Sequence, residues 1–348
     1  MQVGARAISE QPTGASPGVE GPVGNAALRL TAALGALPLE MPPYPTAMIW
    51  PPVFILGVLT LAWIAAVDFH AGASRPLEPI VTIVFLMLVA AYLTKRGMLP
   101  MLSCFFGMTA WLGAFALAAS HASYVTATAN LPDWDATFSS MDRLVGLDWP
   151  VLMMAVAHNE TVDSAGIWVY SHTAQQMLFA LVVLYATRNY DRLDTVLKLL
   201  LLAGFSALIG GVLFPAAGAY HHFGITRAGA EFLAASPGFD HPPHFLALRS
   251  GQLHEFPEQW QGLVQFPSFH TLYTLIAAYG VWNIRFIGPV SAMFSVLVVL
   301  TTVPIGGHYL IDLFAAVGIF AAGVWMFDGK VNSTLRPSVA SAKKLIWR

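Results

Sequence analysis

Residues 301–327 read TTVPIGGHYLIDLFAAVGIFAAGVWMF, and past the Gly306–Gly307 break the run is apolar and long enough to cross a bilayer as one helix. It opens with His308 and Asp312, four residues apart and therefore on one helix face. Ionisable side chains at the edge of a hydrocarbon layer are expensive to keep, which makes them functional-site candidates. The run QFPSFHT, residues 265–271, places a second histidine, His270, in the first turn of another apolar segment. If segment 268–284 crosses the membrane one way, 289–305 must return, and 309–327 then starts on the side where the first began. His270 and His308 thus share one water layer with two sets of first-turn N–H groups and two positive helix-dipole ends. Two imidazoles, a carboxylate and two anion-attracting helix ends describe a phosphate site at a membrane surface.

Composition sets the frame for that reading. Of the 348 residues 56% are hydrophobic and 10% charged; a soluble domain carries about 25% charge, so this chain must face lipid. A net charge of −2 gives no nucleic-acid footprint. The single cysteine, Cys104, excludes an intrachain disulfide and Cys-rich metal sites, and no phosphate-binding GxxxxGK[ST] loop occurs.

Apolar runs of membrane-spanning length recur outward from the quoted stretch. They predict an all-α, polytopic helical bundle with about eight spans, at 48–67, 79–94, 99–119, 166–187, 196–214, 268–284, 289–305 and 309–327, the second of them short. Residues 1–46, rich in Gly, Pro, Ala and Ser, read as a disordered cytoplasmic tail without a signal peptide, holding at most a short surface helix over 25–37. Residues 47–125 form the N-terminal spans, 126–328 the membrane domain that carries the motifs, and 329–348 a basic cytoplasmic tail.

Basic residues in short connections give the orientation. Lys95 and Arg96, then Arg188, Arg192 and Lys198, then Arg285, and finally Lys330, Arg336, Lys343, Lys344 and Arg348 all fall on one side of the eight-span layout. The positive-inside rule makes that side cytoplasmic, so the two histidine-bearing helix ends face outward. Two long external segments remain. Residues 120–165 carry Trp, Leu and Met alternating with Asp, a pattern fit for an interfacial helix. Residues 216–264, with AYHHFG, HPPHFLALRSG and LHEFPEQW, read as a lid or substrate cradle.

The chemistry that suits these residues is phosphoryl transfer through a phosphohistidine, in which one imidazole attacks and another acid protonates the departing oxygen. His308 fits the nucleophile, Asp312 the carboxylate that fixes its tautomer, and His270 the general acid. Arg249 in ALRSG, or less well Arg227, offers the cation for the transferring group. Plainer readings stand beside these. Ser268 sits where an N-cap belongs, Arg249 equally suits a lipid headgroup, and Tyr170, Ser171 and Gln175 form a polar stripe that is either interhelical glue or a pocket floor. His158, His172, His221, His222, His241, His244 and His254 have no partner at telling spacing and read as loop or interface residues.

FPSFHT (266–271), followed after one span by GGHYLID (306–312), resembles the second and third motifs of the type 2 phosphatidic acid phosphatase superfamily, Pro-Ser-x-His and His-Tyr-x-x-Asp. The closer similarity is to its inositolphosphotransferase branch, which includes fungal inositol phosphorylceramide synthase. DRLVGLDWP (142–150), FPAAGAY (214–220) and ALRSG (247–251) are similar to weaker signatures of that branch, so the resemblance covers about residues 130–328. It implies a helical membrane enzyme with a six-helix catalytic core, a phosphoenzyme on His308, Asp312 behind it and His270 as proton donor. It further implies chemistry without metal or cofactor, and a bacterial inner-membrane location. Arg249, Ser268, Tyr309 and Gln175 are then the expected substrate contacts. The chain departs from the superfamily in lacking its first, Lys/Arg-bearing motif and in having Thr301–Thr302 where other members carry Ser-Arg. Two phosphate-binding cations are therefore missing.

Three functions compete at this stage. The first is a transferase moving a phospho-headgroup from a phospholipid to a lipid alcohol. The second is a hydrolase in which water resolves the phosphohistidine of a phosphatidate or isoprenyl diphosphate. The third is a transporter or haem-type protein using both histidines as ligands, although axial ligands belong at facing depths within spans rather than at their ends.

Overall fold

The computed structural model describes residues 49–67, 69–70, 77–157, 159–226, 237–257 and 261–328. The predicted tails at 1–46 and 329–348, the surface helix over 25–37, and Arg227 and His158 lie outside the described residues. Among the described residues there are thirteen α-helices and no β-strand, only an isolated bridge between His70 and Glu255.

An apolar hairpin leads. Helix α1 (Trp50–Ala66) starts on the proline pair Pro51–Pro52, whose fixed φ suits a first turn, and α2 (Leu77–Arg96) runs up to Gly97. Both show large apolar side chains to the outside, among them Phe54, Leu61, Phe85 and Leu88. Helix α3 (Pro100–Ala127) packs against both and continues eight residues past the predicted boundary at 119. Its last turns turn polar but stay buried, because Ser123 and Tyr124 find partners in the segment around residues 261–263.

The predicted external stretch 120–165 folds into α4 (Asp135–Leu144) and α5 (Trp149–Ala157). The expected single span at 166–187 is instead two helices, α6 (Glu160–Ser171) and α7 (Thr173–Ala186), meeting at 44° about His172. Asn159 caps the start of α6 by accepting from the Val162 N–H, and Thr173 donates its hydroxyl to the Tyr170 carbonyl at the bend. Helix α8 (Tyr190–Leu213) follows, then the short α9 (Ala219–His222) and α10 (His241–Arg249). The last three are α11 (Phe269–Val281), α12 (Ile287–Thr302) and α13 (Leu310–Phe327).

By length and composition four helices can cross a membrane, α2, α3, α8 and α13, and a fifth crossing is available if the bent pair counts as one. The chain is an integral membrane protein. All eight predicted segments are helical, but α1, α11 and α12 have only 17, 13 and 16 residues. The predicted short second span is in fact a full 20 residues, because Leu77 and Glu78 before it and Lys95 and Arg96 after it belong to the helix.

Helix α11 is the central one, packed against α7, α8, α12 and α13. Small residues let its neighbours approach: a side chain at Gly280 would already be 3.1 Å from Val196 on α8. One polar knot interrupts the apolar packing. Gln176 on α7 donates toward Ser291 O, Ser291 Oγ and Ser295 Oγ on α12 at 3.1, 3.0 and 2.9 Å, and accepts from Thr274 Oγ1 on α11 at 2.7 Å.

Arg192, in the first turn of α8, donates to the Tyr279 carbonyl near the end of α11 and lies 4.0 Å from Asp328, just past α13. These are the ends opposite His270 and His308. The starts of α11 and α13 meet at the other end, where the Ser268 N–H donates to the Asp312 carbonyl at 3.2 Å.

Candidate active site

The turn before α13 presents His308. Gly307 has φ +71°, and a Cβ there would stand 2.6 Å from the Tyr220 ring, so both conformation and space require glycine. Its carbonyl accepts from the Ala219 N–H and from Gln265 Nε2, each at 3.0 Å. The next carbonyl, that of His308, accepts from the buried Trp149 indole at 3.2 Å. His308 is therefore held through its backbone from two sides before its side chain makes any contact.

The His308 Nδ1–H donates to Asp312 Oδ2 at 3.0 Å. The same oxygen accepts from the Tyr309 N–H at 2.9 Å and from Gln265 Nε2 at 3.2 Å, and Asp312 is fully buried. A carboxylate on Nδ1 fixes the tautomer that leaves Nε2 with its lone pair. Burial pushes the His308 imidazole down to about 4, so the ring is neutral at pH 7, the state in which Nε2 can attack.

His270, the second residue of α11, pairs its Nδ1 with the Tyr170 hydroxyl at 2.8 Å, and the two rings stack at 3.9 Å. Tyr170 comes from the last turn of α6, next to the bend. His270 and His308 line one cavity of about 480 Å³ together with His241, Tyr170 and Gln265. Where α3 and α8 face it the walls are mostly apolar, with Leu112, Phe115, Ala116, Gly204 and Leu208 among them, and turn polar at Ser120 and Ser123.

Two carboxylates of α4 brace the site from behind. Asp135 accepts from the Ala217 and Gly218 N–H groups at 2.8 and 2.9 Å and from the Tyr309 hydroxyl at 2.8 Å. Burial raises its carboxyl to about 6, against the pull of these donors. Seven residues on, Asp142 accepts from the Leu310 N–H at 2.9 Å and more distantly from that of Ile311 at 3.4 Å. The first turn of α13 is thus already met by carboxylates, its own Asp312 and the remote Asp142. This corrects the sequence expectation of two open, anion-attracting helix ends: the α13 end has its negative charge from the protein itself.

The structure brings together His308, Asp312 and His270. None of the four expected substrate contacts lies among the cavity-lining residues. Arg249 turns away and donates Nη2 to the Leu131 carbonyl at 2.7 Å while its guanidinium lies over Phe245. Ser268 is the buried N-cap of α11, accepting from the Thr271 N–H at 3.3 Å. Tyr309 is buried and spends its hydroxyl on Asp135. Gln175 faces outward, and it is the neighbouring Gln176 that ties helices together, whereas Tyr170 and Ser171 of the same polar stripe do reach the cavity.

His241, Gln265, Asp135 and Asp142 are the site residues that sequence reasoning passed over. Gln265, Asp142 and His241 stood inside stretches already singled out, but nothing in its spacing set His241 apart from six other histidines. Among the described residues no group of three or more His, Cys, Asp or Glu side chains is arranged to hold a metal ion.

Residues 136–326, more than half of the chain, match the family model of the PAP2 superfamily. No curated protein and no solved structure matches the chain. The chain belongs to the PAP2 superfamily, whose members are phosphatases or phosphotransferases, and so is an enzyme acting on phosphate esters.

Proposed function

We propose that this membrane-embedded member of the PAP2 superfamily transfers a phospho-headgroup between lipids through a phosphohistidine on His308, as inositol phosphorylceramide synthase-like enzymes do. The observation that carries the reading is the Asp312–His308 pair opening, on the side away from the carboxylate, into a cavity that His270 also lines. In the first step His308 Nε2 forms a bond to phosphorus while the bond from phosphorus to the leaving oxygen breaks. His270 takes up a proton from water as the anionic substrate enters and gives that proton to the leaving oxygen, and Asp312 stabilises the imidazolium that results on His308. In the second step an alcohol oxygen attacks phosphorus, the P–N bond breaks, and the alcohol proton returns to His270. The mostly apolar walls on α3 and α8 suit the tail of a lipid acceptor, and Arg192 at the opposite end of the bundle supports an extracytoplasmic site.

The test uses the full chain purified in detergent. A phosphodiester lipid with ceramide or diacylglycerol as acceptor is compared with phosphatidate alone, and products are resolved by phosphorus NMR. A new phospholipid made only with the acceptor is the expected result. Release of inorganic phosphate from phosphatidate, with no exchange of headgroup, replaces the transferase reading by the hydrolase one, in which water takes the alcohol's place. His308→Ala should lose turnover by about 10⁴-fold or more while folding normally; turnover at the wild-type rate in that variant removes the phosphohistidine altogether.

A further inference from the structure

A phosphoryl group in transfer carries negative charge that the site must offset. No Lys or Arg lines the cavity among the described residues, and the first turn of α13 already faces Asp142 and Asp312. In the proposed reaction His308 is engaged as nucleophile and His270 as proton donor. One imidazole is left.

His241 opens α10, is 9% exposed, and stacks on Phe245 one turn further along the helix. Its Nδ1–H donates to the Ala217 carbonyl at 3.0 Å, the loop residue whose own N–H is held by Asp135. That contact fixes the ring and leaves Nε2, which is buried and makes no well-formed hydrogen bond although the Leu263 carbonyl also faces the ring, on a side chain that lines the cavity. A buried polar nitrogen without such a bond is costly unless something else meets it.

Building on the reading above, we propose that His241 is the phosphate-holding cation of this site: its ring takes up a proton as substrate binds and donates Nε2–H to a non-bridging phosphate oxygen. The proton comes from water and returns to it when product leaves, and His241 neither makes nor breaks a bond to phosphorus. The groups that face the ring are consistent with a switchable charge. Burial holds the imidazole down to about 4, the carbonyls of Ala217 and Leu263 push it up, and His308 and His244 push it down. An anion in the cavity tips that balance toward the imidazolium. The shared chemistry is a phosphate oxygen, whether on a lipid headgroup or on free phosphate.

Binding of inorganic phosphate, and separately of phosphatidate in mixed micelles, is measured by calorimetry on the full chain in detergent. His241→Asn keeps an amide N–H near the Ala217 carbonyl and removes Nε2, whereas His241→Gln puts a neutral donor near the Nε2 position. The Asn variant should bind both ligands about tenfold more weakly or worse, and the Gln variant within about threefold of wild type at pH 8. Between about pH 8 and about pH 6 wild-type affinity should gain on the Gln variant, since only the histidine can take up the proton. Loss of inorganic phosphate alone, with phosphatidate unaffected, overturns the assignment for the substrate, as does wild-type binding of both by the Asn variant. Should the Asn variant fail to fold, the pH comparison of wild type with Gln decides, and parallel profiles overturn the proposal. If wild type itself binds neither ligand and turns over no phosphate ester, it is the proposed function that falls.

Discussion

The two helices that carry the histidines begin in different ways. Helix α11 brings its own cap, Ser268, three residues before the amide it satisfies, and that arrangement is visible in any window of the sequence. Helix α13 is capped twice, once by Asp312 in its own first turn and once by Asp142, which arrives from 168 residues earlier in the chain. A local cap only starts a helix. A cap delivered from another element also fixes where that helix start sits, and the α13 start is the one that bears the nucleophile.

The comparison can be sharpened by removing each cap. Asp142→Ala leaves the Leu310 and Ile311 amides without their buried acceptor and should lower stability by about 2 kcal/mol, with a fall in turnover because His308 loses its fixed frame. A thermal melt in detergent beside an activity assay reads both. Ser268→Ala should cost about 1 kcal/mol in the same melt. If the two losses prove equal, or if Ser268→Ala impairs turnover more than Asp142→Ala does, the distinction between local and remote capping collapses. Smallest of all should be Arg249→Ala, since its guanidinium serves the Leu131 carbonyl and not the cavity: turnover should stay within about threefold of wild type. A large loss there would return to Arg249 the phosphate-binding role that its sequence context suggested.

The helical class and the pairing of His308, Asp312 and His270 were legible because both are periodic signals, apolar runs of fixed length and an i, i+4 pair at a helix start. The starts of α11 and α13 meet at one end of the bundle. What stayed hidden depends on contacts across the fold. The α6–α7 bend shows no proline or glycine at Ser171–His172, so nothing local announced it. Arg249 was chosen for its charge and its motif, yet its side chain is drawn off by a carbonyl at Leu131. Gln175 and Gln176 are adjacent, and only the rotation of α7 against α11 and α12 decides which one faces the other helices. His241 was indistinguishable until Ala217 and the cavity gave its two nitrogens different surroundings.

That knot around Gln176 has a bearing on how the bundle assembles. Helices whose surfaces are mostly Leu, Val and Ala can slide or roll past one another in lipid at little penalty, since hydrocarbon resembles their own side chains. Were α7 to shift by a turn relative to α11 and α12, the amide and its Thr and Ser partners would be stranded in an oily medium, at about 1–3 kcal/mol for each orphaned group. One glutamine thus works as an indexing pin. It admits a single alignment of three greasy cylinders, and so keeps Tyr170, just ahead of the first of them, level with the imidazole at the head of another.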